Sequence, residues 1–355
     1  MSSQLVVRAG AAVPLARPLV SLLYVLRRVP TAGLTDTANA ITTLPHVMDP
    51  NATGLFAKGK QIVKLYKSGI VNVWHNYKSS RELLKTFQKA AGSSRPSSAE
   101  AVTQTILDKA AADRIAIEHE RGDSKDPTIY TDIEVGITRA QYQTLLRTPK
   151  DAFKLPLFSI IFCIFFETTP LLVMIFPGIV PSTCILPGQE RKAVARREAL
   201  INNLHGKHYP KVAFGTSPYK LKTDALRDLT VTVGAVPQFA ARVLSHNSLA
   251  RRLEAHLSQV RADSYMLAWT QSPVRENVVG AAVWALNERE LVRACHARAI
   301  PAFTSDGTAR SVQDLRAELF LWTANFLELK ADAGFLLSWQ PAESLDQLYI
   351  NQTIL

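Results

Sequence analysis

Glu167 is the one charge in a long apolar run, Leu155 to Pro187, and Pro170 follows it three residues later. An ionised carboxylate in such a setting is costly unless it meets a partner, takes a proton or faces water. Two roles are open to it. It titrates in a proton or cation relay, or it is a neutral carboxyl bonded to Thr168, Thr169 or a carbonyl that Pro170 leaves free. One helix cannot enclose a polar path, so the relay requires a homo-oligomer or another subunit. Other chemistry finds little footing. His205 and His208 stand three apart with no third ligand near, and they read as surface residues. His296 follows Cys295, but adjacent helix residues point apart. The sequence holds no glycine-rich phosphate loop, no Gly-x-Ser-x-Gly elbow and no metal-spaced His/Cys set. No catalytic residue, metal ligand or cofactor is assigned, and an enzyme is not expected.

The element that must position Glu167 is a helix. Leu155 to Phe176 spans about 33 Å at ~1.5 Å per residue, enough to cross a bilayer core. Lys150 and Lys154 precede the run, and Arg191 and Lys192 follow it, where long basic side chains can reach headgroups. Pro156 falls in the expected first turn, Pro170 is expected to kink the helix, and Pro177 and Pro181 to end it. The segment from Pro177 to Gly188 is expected to be irregular.

The 355-residue chain carries a formal charge of +11 and a pI near 9.6, which points to an anionic partner: nucleic acid, a ribosome or acidic lipid. Part of that charge belongs to residues 1–35, where Arg8, Arg17, Arg27 and Arg28 occur with no acid before Asp36. This is the makeup of a matrix-targeting presequence. Cys163, Cys184 and Cys295 show neither disulfide nor metal spacing and suit a reducing compartment. The expected division is a presequence (1–35), a linker (36–57), a basic helical pre-membrane region (58–150), a transmembrane helix with a proline-rich exit (151–187), a helical matrix domain (188–335) and a tail (336–355).

Apolar periodicity makes the chain all-α. Ile62, Tyr66, Ile70, Val73, Tyr77, Leu84 and Phe87 share one helix face. Lys58, Lys60, Lys64, Lys67, Lys78, Arg81, Lys85, Lys89 and Arg95 accompany them against Glu82 alone, as on a helix lying on an anionic surface or on a solvated hairpin. Ser97 with Glu100, Thr138 with Gln141 and Asn287 with Glu290 have capping-box spacing. Ser311 with Asp314 opens another helix, and Ser248 is expected to cap one that carries Leu249, Leu253, Leu257 and Val260. Val312, Leu315, Leu319, Trp322, Phe326 and Leu329 form a narrow seam, read as core. No internal repeat is present.

Two blocks resemble the LETM family of leucine-zipper and EF-hand-containing mitochondrial membrane proteins, over roughly residues 60–330. The first runs through Thr138, Arg139, Arg147, Thr148, Asp151, Pro156, Glu167, Pro170, Pro177, Pro181, Ser182 and Thr183. The second runs through Leu286, Glu290, Leu291, Ala294, Cys295, Arg298, Leu315, Arg316, Leu319 and Trp322. The chain departs from the family at Met174 (a lysine there), Ala299 (a glycine), Ser264 (an aspartate) and residues 272–281, which look inserted. It lacks the EF-hand loop and the long coiled coil.

The resemblance implies a mitochondrial inner-membrane protein with one transmembrane helix and a 14-3-3-like, ribosome-binding matrix domain. The expected function is cation (potassium/proton) homeostasis with mitochondrial ribosome association at the membrane. The alternative is direct cation–proton exchange by an oligomer with Glu167 as titrating group. Expected ribosome or lipid contacts are Arg191, Lys192, Arg196, Arg197, Lys207 and Lys211. The expected partners are the mitochondrial ribosome and inner-membrane lipids, not DNA.

Overall fold

The computed structural model describes residues 55–90, 98–121, 137–164, 177–207, 209, 212–268, 281–304, 306–329 and 331–340. Among them the regular structure is helical and no strand occurs; Phe303 and Ala309 form an isolated bridge. The protein is all-α. In chain order the helices are α1 (Leu55–Ala90), α2 (Ala99–Arg121), α3 (Arg139–Ile164), α4 (Pro187–Gly206), α5 (Thr223–Thr232), α6 (Gln238–Ala241), α7 (His246–Ala268), α8 (Ala281–Ala285), α9 (Glu288–His296), α10 (Val312–Glu328) and α11 (Ala333–Ser338). They fall into a smaller unit (Asn39–Val102 and Gly136–Ala195) and a larger one (Met1–Ala38, Thr103–Val135 and Arg196–Leu355).

In the smaller unit, α1 packs on α3 and on a short 3-10 turn, Ser182–Cys184. The core holds Leu65, Tyr66, Phe158, Val180 and Cys184, with the edges of Phe158 and Phe162 turned to the Tyr66 ring at 5.4 and 5.8 Å. Gly69 is the point of closest approach. A Cβ there lies 2.5 Å from Cys184 Sγ and 2.8 Å from the Thr183 carbonyl oxygen. Thr183 Oγ1 donates to the Gly69 carbonyl at 2.9 Å. Asp151 accepts from the Ser182 N–H at 2.8 Å and from its hydroxyl, and Ser80 donates to Thr148 at 3.1 Å. The face expected from Ile62 to Phe87 does turn inward, though only Tyr66 and Val73 of that set are fully buried.

The expected membrane helix requires correction. Leu155 does not begin a helix. It continues α3, which starts at Arg139 and passes through Pro149 and Pro156. Proline disfavours a helix interior, but here tertiary contacts on both sides hold the run together: Tyr142, Leu145 and Phe158 are buried and Asp151 is tied to Ser182. Lys154, expected among headgroups, donates to the Val180 carbonyl at 3.2 Å. Among the described residues no helix is long and apolar enough to cross a membrane. Glu167 and Pro170 lie outside the described residues.

The larger unit is built on one apolar core from Leu204 to Trp339. The α10 seam is core, as its spacing predicts: Leu315, Leu319, Trp322 and Phe326 are buried, and Trp322 stacks on Phe326 at 4.6 Å. Helix starts match their sequence signals closely. Thr138 and Gln141 bond reciprocally at 3.3 and 2.9 Å, Asn287 accepts from the Glu290 N–H at 2.9 Å, and Ser311 from the Asp314 N–H at 3.0 Å. At α2, Ser98 accepts from the Ala101 N–H at 3.1 Å, and Ser97 lies outside the described residues. At α7 the cap is shifted: Ser245, not Ser248, accepts, from the Ser248 N–H at 3.4 Å.

The two glycines of α1 give opposite outcomes. Gly69→Val forces the Ser182–Cys184 turn away and lowers the unfolding free energy by about 1–3 kcal/mol. Gly59, with nothing near its Cβ position, gains about 0.5–1 kcal/mol of helix propensity as Gly59→Ala. Chemical denaturation of both variants checks the pair.

Candidate functional site

Each unit presents a different kind of site, one on the surface and one buried. In the smaller unit, burial of one face of α1 turns a row of side chains outward: Lys60, Lys64, Lys67, Val71, Trp74, Lys78, Arg81 and Lys85, all exposed. Helix α3 exposes a second row, Phe153 (87 %), Leu157 (53 %), Ile160 (56 %) and Ile164 (67 %). Steps of four, three and four place these on one side of the helix. Large apolar side chains aligned in this way mark a surface that meets lipid or another protein.

The larger unit buries charge. Glu198 of α4 is 5 % exposed, and its Oε1 accepts from His296 Nε2 at 2.6 Å and from the Ala302 N–H at 2.8 Å. Arg298 donates to Asp263 and to Ser264, each at 2.9 Å, and lies over the Trp322 ring at 5.4 Å. Arg310 donates to Glu318 at 2.6 Å, and Trp339 Nε1 donates to the other Glu318 oxygen at 3.2 Å. Between these pairs the chain turns at Ala299, whose φ of 57° is left-handed. That is the position where the sequence comparison expected glycine. The cluster joins α4, α7, α10 and the α9–α10 turn. Burial of such pairs costs desolvation that good geometry offsets, and losing one partner leaves an uncompensated charge. The arrangement is a clamp of buried charge. Cys295 beside it is buried, which pushes its thiol up to about 12 and keeps it protonated.

The expected contact residues divide in two. Arg191, Lys192 and Arg196 are exposed on α4. Arg197 is not: it points inward and donates to the carbonyls of Val231 and Thr232 at 2.9 and 2.6 Å. There it bonds carbonyls at the end of α5, that of Val231 in addition to the Gly234 N–H at 3.1 Å. Burial lowers its pKa. Gly234, at φ 77°, makes room for it, since a Cβ there lies 2.7 Å from the guanidinium. Lys207 pairs with Asp228, which also accepts from the Tyr209 hydroxyl at 2.7 Å. Lys211 and His208 lie outside the described residues. His205, expected at the surface, is largely enclosed and bonds the Ala299 carbonyl at 2.8 Å.

Sequence reasoning named the basic positions of α1 but not Val71 and Trp74 among them, and it missed the outward row of α3 and the buried acids. Leu157, Ile160 and Ile164 fall in the start of the apolar helix expected from Leu155, and Phe153 precedes it. Glu318 lies beside Leu319 within the seam, a charge at a core position that signals a buried partner.

Fold and surface together define an all-helical, two-unit protein with aligned apolar and basic rows. Residues 50–269, well over half of the 355-residue chain, match the family described as the Pentamidine resistance factor domain, and the chain belongs to that family. No curated protein and no solved structure matches it. This match overturns the LETM reading over most of the residues that carried it. What the LETM resemblance alone implied, a LETM-type domain of 14-3-3-like shape, falls with it. Several of its motif residues have local structural roles instead: Thr138 caps α3, Asp151 holds Ser182, Thr183 holds Gly69, and Arg298 joins the clamp.

His205 makes stability depend on pH. Burial lowers its pKa below the ordinary 6.5, against the raising effect of the Ala299 carbonyl. As pH falls through about 6.5 the unfolded chain takes up the proton first, so this group's contribution is present above that value and lost below it. The thermal midpoint is expected to drop more steeply between about pH 7 and pH 5 than it does in His205→Gln. Equal slopes for the two proteins rule the effect out.

Proposed function

We propose that the protein is a non-enzymatic adaptor anchored at the mitochondrial inner membrane, with the exposed α4 cations on the matrix side for a polyanionic partner, the mitochondrial ribosome. The observation that carries this reading is the outward row of α3, Phe153, Leu157, Ile160 and Ile164. In sequence it runs directly into a further apolar stretch that ends at Phe176. An apolar row of this kind gains free energy by entering the headgroup–acyl boundary. The Arg-rich, acid-poor residues 1–35 support mitochondrial import. The family's name adds support. Pentamidine is a dication, and a negative-inside potential favours its entry by about 4.6 kcal/mol per 100 mV, twice the value for one charge. Such a drug therefore accumulates on the negative side of the inner membrane and must cross that membrane to get there.

The exchanger role drew on the LETM resemblance and on Glu167, and it is not carried further. Arg191, Lys192 and Arg196 remain as polyanion contacts, because they are exposed; Arg197 is committed to α5 and Lys207 to Asp228.

Two measurements test the reading. The full chain is expected to float with vesicles, and Phe153→Ser with Leu157→Ser to lower partitioning on the order of tenfold or more. Unchanged flotation of that variant removes the anchor. Ribosome co-sedimentation is expected to weaken roughly twentyfold to fortyfold between about 50 and 200 mM salt if three phosphates are contacted. Salt-independent binding removes the polyanion contact.

A further inference from the structure

Helix α1 is 36 residues long and its outward row runs nearly its whole length. Lys60, Lys64, Lys67, Val71, Trp74, Lys78, Arg81 and Lys85 step by four and three in strict alternation. At ~100° per residue they fall within a sector of about 100°, and from first to last they span about 38 Å. Leu65, Tyr66, Gly69, Val73 and Ser80 are buried on the opposite side. Glu82 is the acid of this helix; at ~100° per residue it falls at the edge of the same sector, in line with Lys64, where it is exposed. The row is therefore a straight cationic track with two apolar residues at its middle.

The middle of the track tells its partner apart. Trp74 is 51 % exposed and Val71 45 %. Lys78 Nζ lies over the Trp74 ring at 5.4 Å, and Tyr77 stacks against it at 6.1 Å. Arg81 in turn lies over Tyr77 at 5.7 Å and donates to its hydroxyl at 3.2 Å. The helix's own cation and phenol already engage the indole face, which leaves less of it for a nucleobase to stack on. The free edge of an indole beside an exposed valine suits the headgroup–acyl boundary, where tryptophan is favoured. Lysines on both sides suit phosphate headgroups.

We propose that the outward row of α1 is a binding surface for anionic phospholipid. Its basic residues lie along the headgroup phosphates and Val71 and Trp74 enter between them. This deepens the membrane reading above, on which it rests, by naming the lipid charge class and a second surface that reads it. The α3 row supplies contact with any bilayer; the α1 row selects the negatively charged one.

The experiment floats the full chain with zwitterionic vesicles and with vesicles carrying about one third anionic phospholipid. It compares wild type, the triple variant Lys64→Gln, Lys67→Gln, Lys85→Gln, the triple Lys→Arg variant at the same positions, and the Phe153→Ser, Leu157→Ser variant. All substituted side chains are exposed, and circular dichroism verifies the helix content. Each basic side chain near an anionic surface raises partitioning roughly fivefold at low salt, so the Gln triple is expected to lose on the order of a hundredfold on anionic vesicles and little on zwitterionic ones. The Arg triple is expected to bind like wild type. Bromine-labelled anionic lipid is expected to quench tryptophan emission in wild type and less in Trp74→Phe.

Equal partitioning onto both vesicle types, or an anionic preference that survives the Gln triple, overturns the proposal. The membrane reading still stands in that case if flotation depends on Phe153 and Leu157. An anionic preference lost in the Gln triple while the Phe153, Leu157 variant floats normally upholds the α1 surface and removes the α3 anchor. Binding to polyuridylate that the same lysines control, without lipid quenching of Trp74, overturns the proposal in favour of RNA. Failure to float with either vesicle overturns both readings.

Discussion

Gly69 sets the roll of α1. With no Cβ at that position, the Ser182–Cys184 turn reaches the helix backbone, and Thr183 bonds the Gly69 carbonyl at 2.9 Å. A helix held that closely at one side has no freedom to rotate about its axis. The side 180° away must then face outward, and it is there that the lysines and Trp74 lie. Helix α3 is held in the same way, by Phe158 in the core and by Asp151 on Ser182. Phe153, Leu157, Ile160 and Ile164, on the other side of that helix, have nowhere to go but out. Both surface rows follow from one close approach and one buried carboxylate bond.

The larger unit solves a different problem. Helices α5, α6, α8, α9 and α11 are ten residues long or shorter, below the length at which a helix stands alone. A continuous apolar core supplies most of the stability, while buried ion pairs set which helix meets which turn. Glu198 illustrates the point. One carboxylate oxygen accepts from His296 and from the Ala302 N–H, which pins α4 to the turn after α9. An apolar contact tolerates sliding, but a buried carboxylate with two donors does not, because a displaced charge is left uncompensated. The left-handed Ala299 lies inside this clamp, where the surrounding bonds hold a conformation that alanine adopts at some cost.

The chain belongs to the Pentamidine resistance factor domain family, so its exposed chemistry bears on function more than the LETM-like motifs do. Motif residues that resembled a LETM signature turn out to cap helices and hold turns. Such tasks recur in unrelated helical proteins, so residues of the same types at similar spacing are weak witnesses to ancestry. Exposed Phe153 and the basic row of α1 carry more, because nothing among the described residues covers them.

The sequence by itself determined the helical class, most helix starts and the identity of the main core seam. These are local properties: a capping box needs four residues, and an amphipathic face needs a few turns. It also determined that the chain is strongly basic. It marked the start of helix α3 at Thr138 but not that the helix runs on through Pro149 and Pro156, because a proline at position 156 reads as an entry signal unless the bond between Asp151 and Ser182, thirty-one residues apart, is known. Nor did it separate Arg196, which faces solvent, from Arg197, which caps the carbonyls of Val231 and Thr232. Neighbouring arginines look alike in a sequence. Only the tertiary structure decides which one meets a distant backbone, since the partner groups come from more than thirty residues away and their position is a property of the whole packed unit.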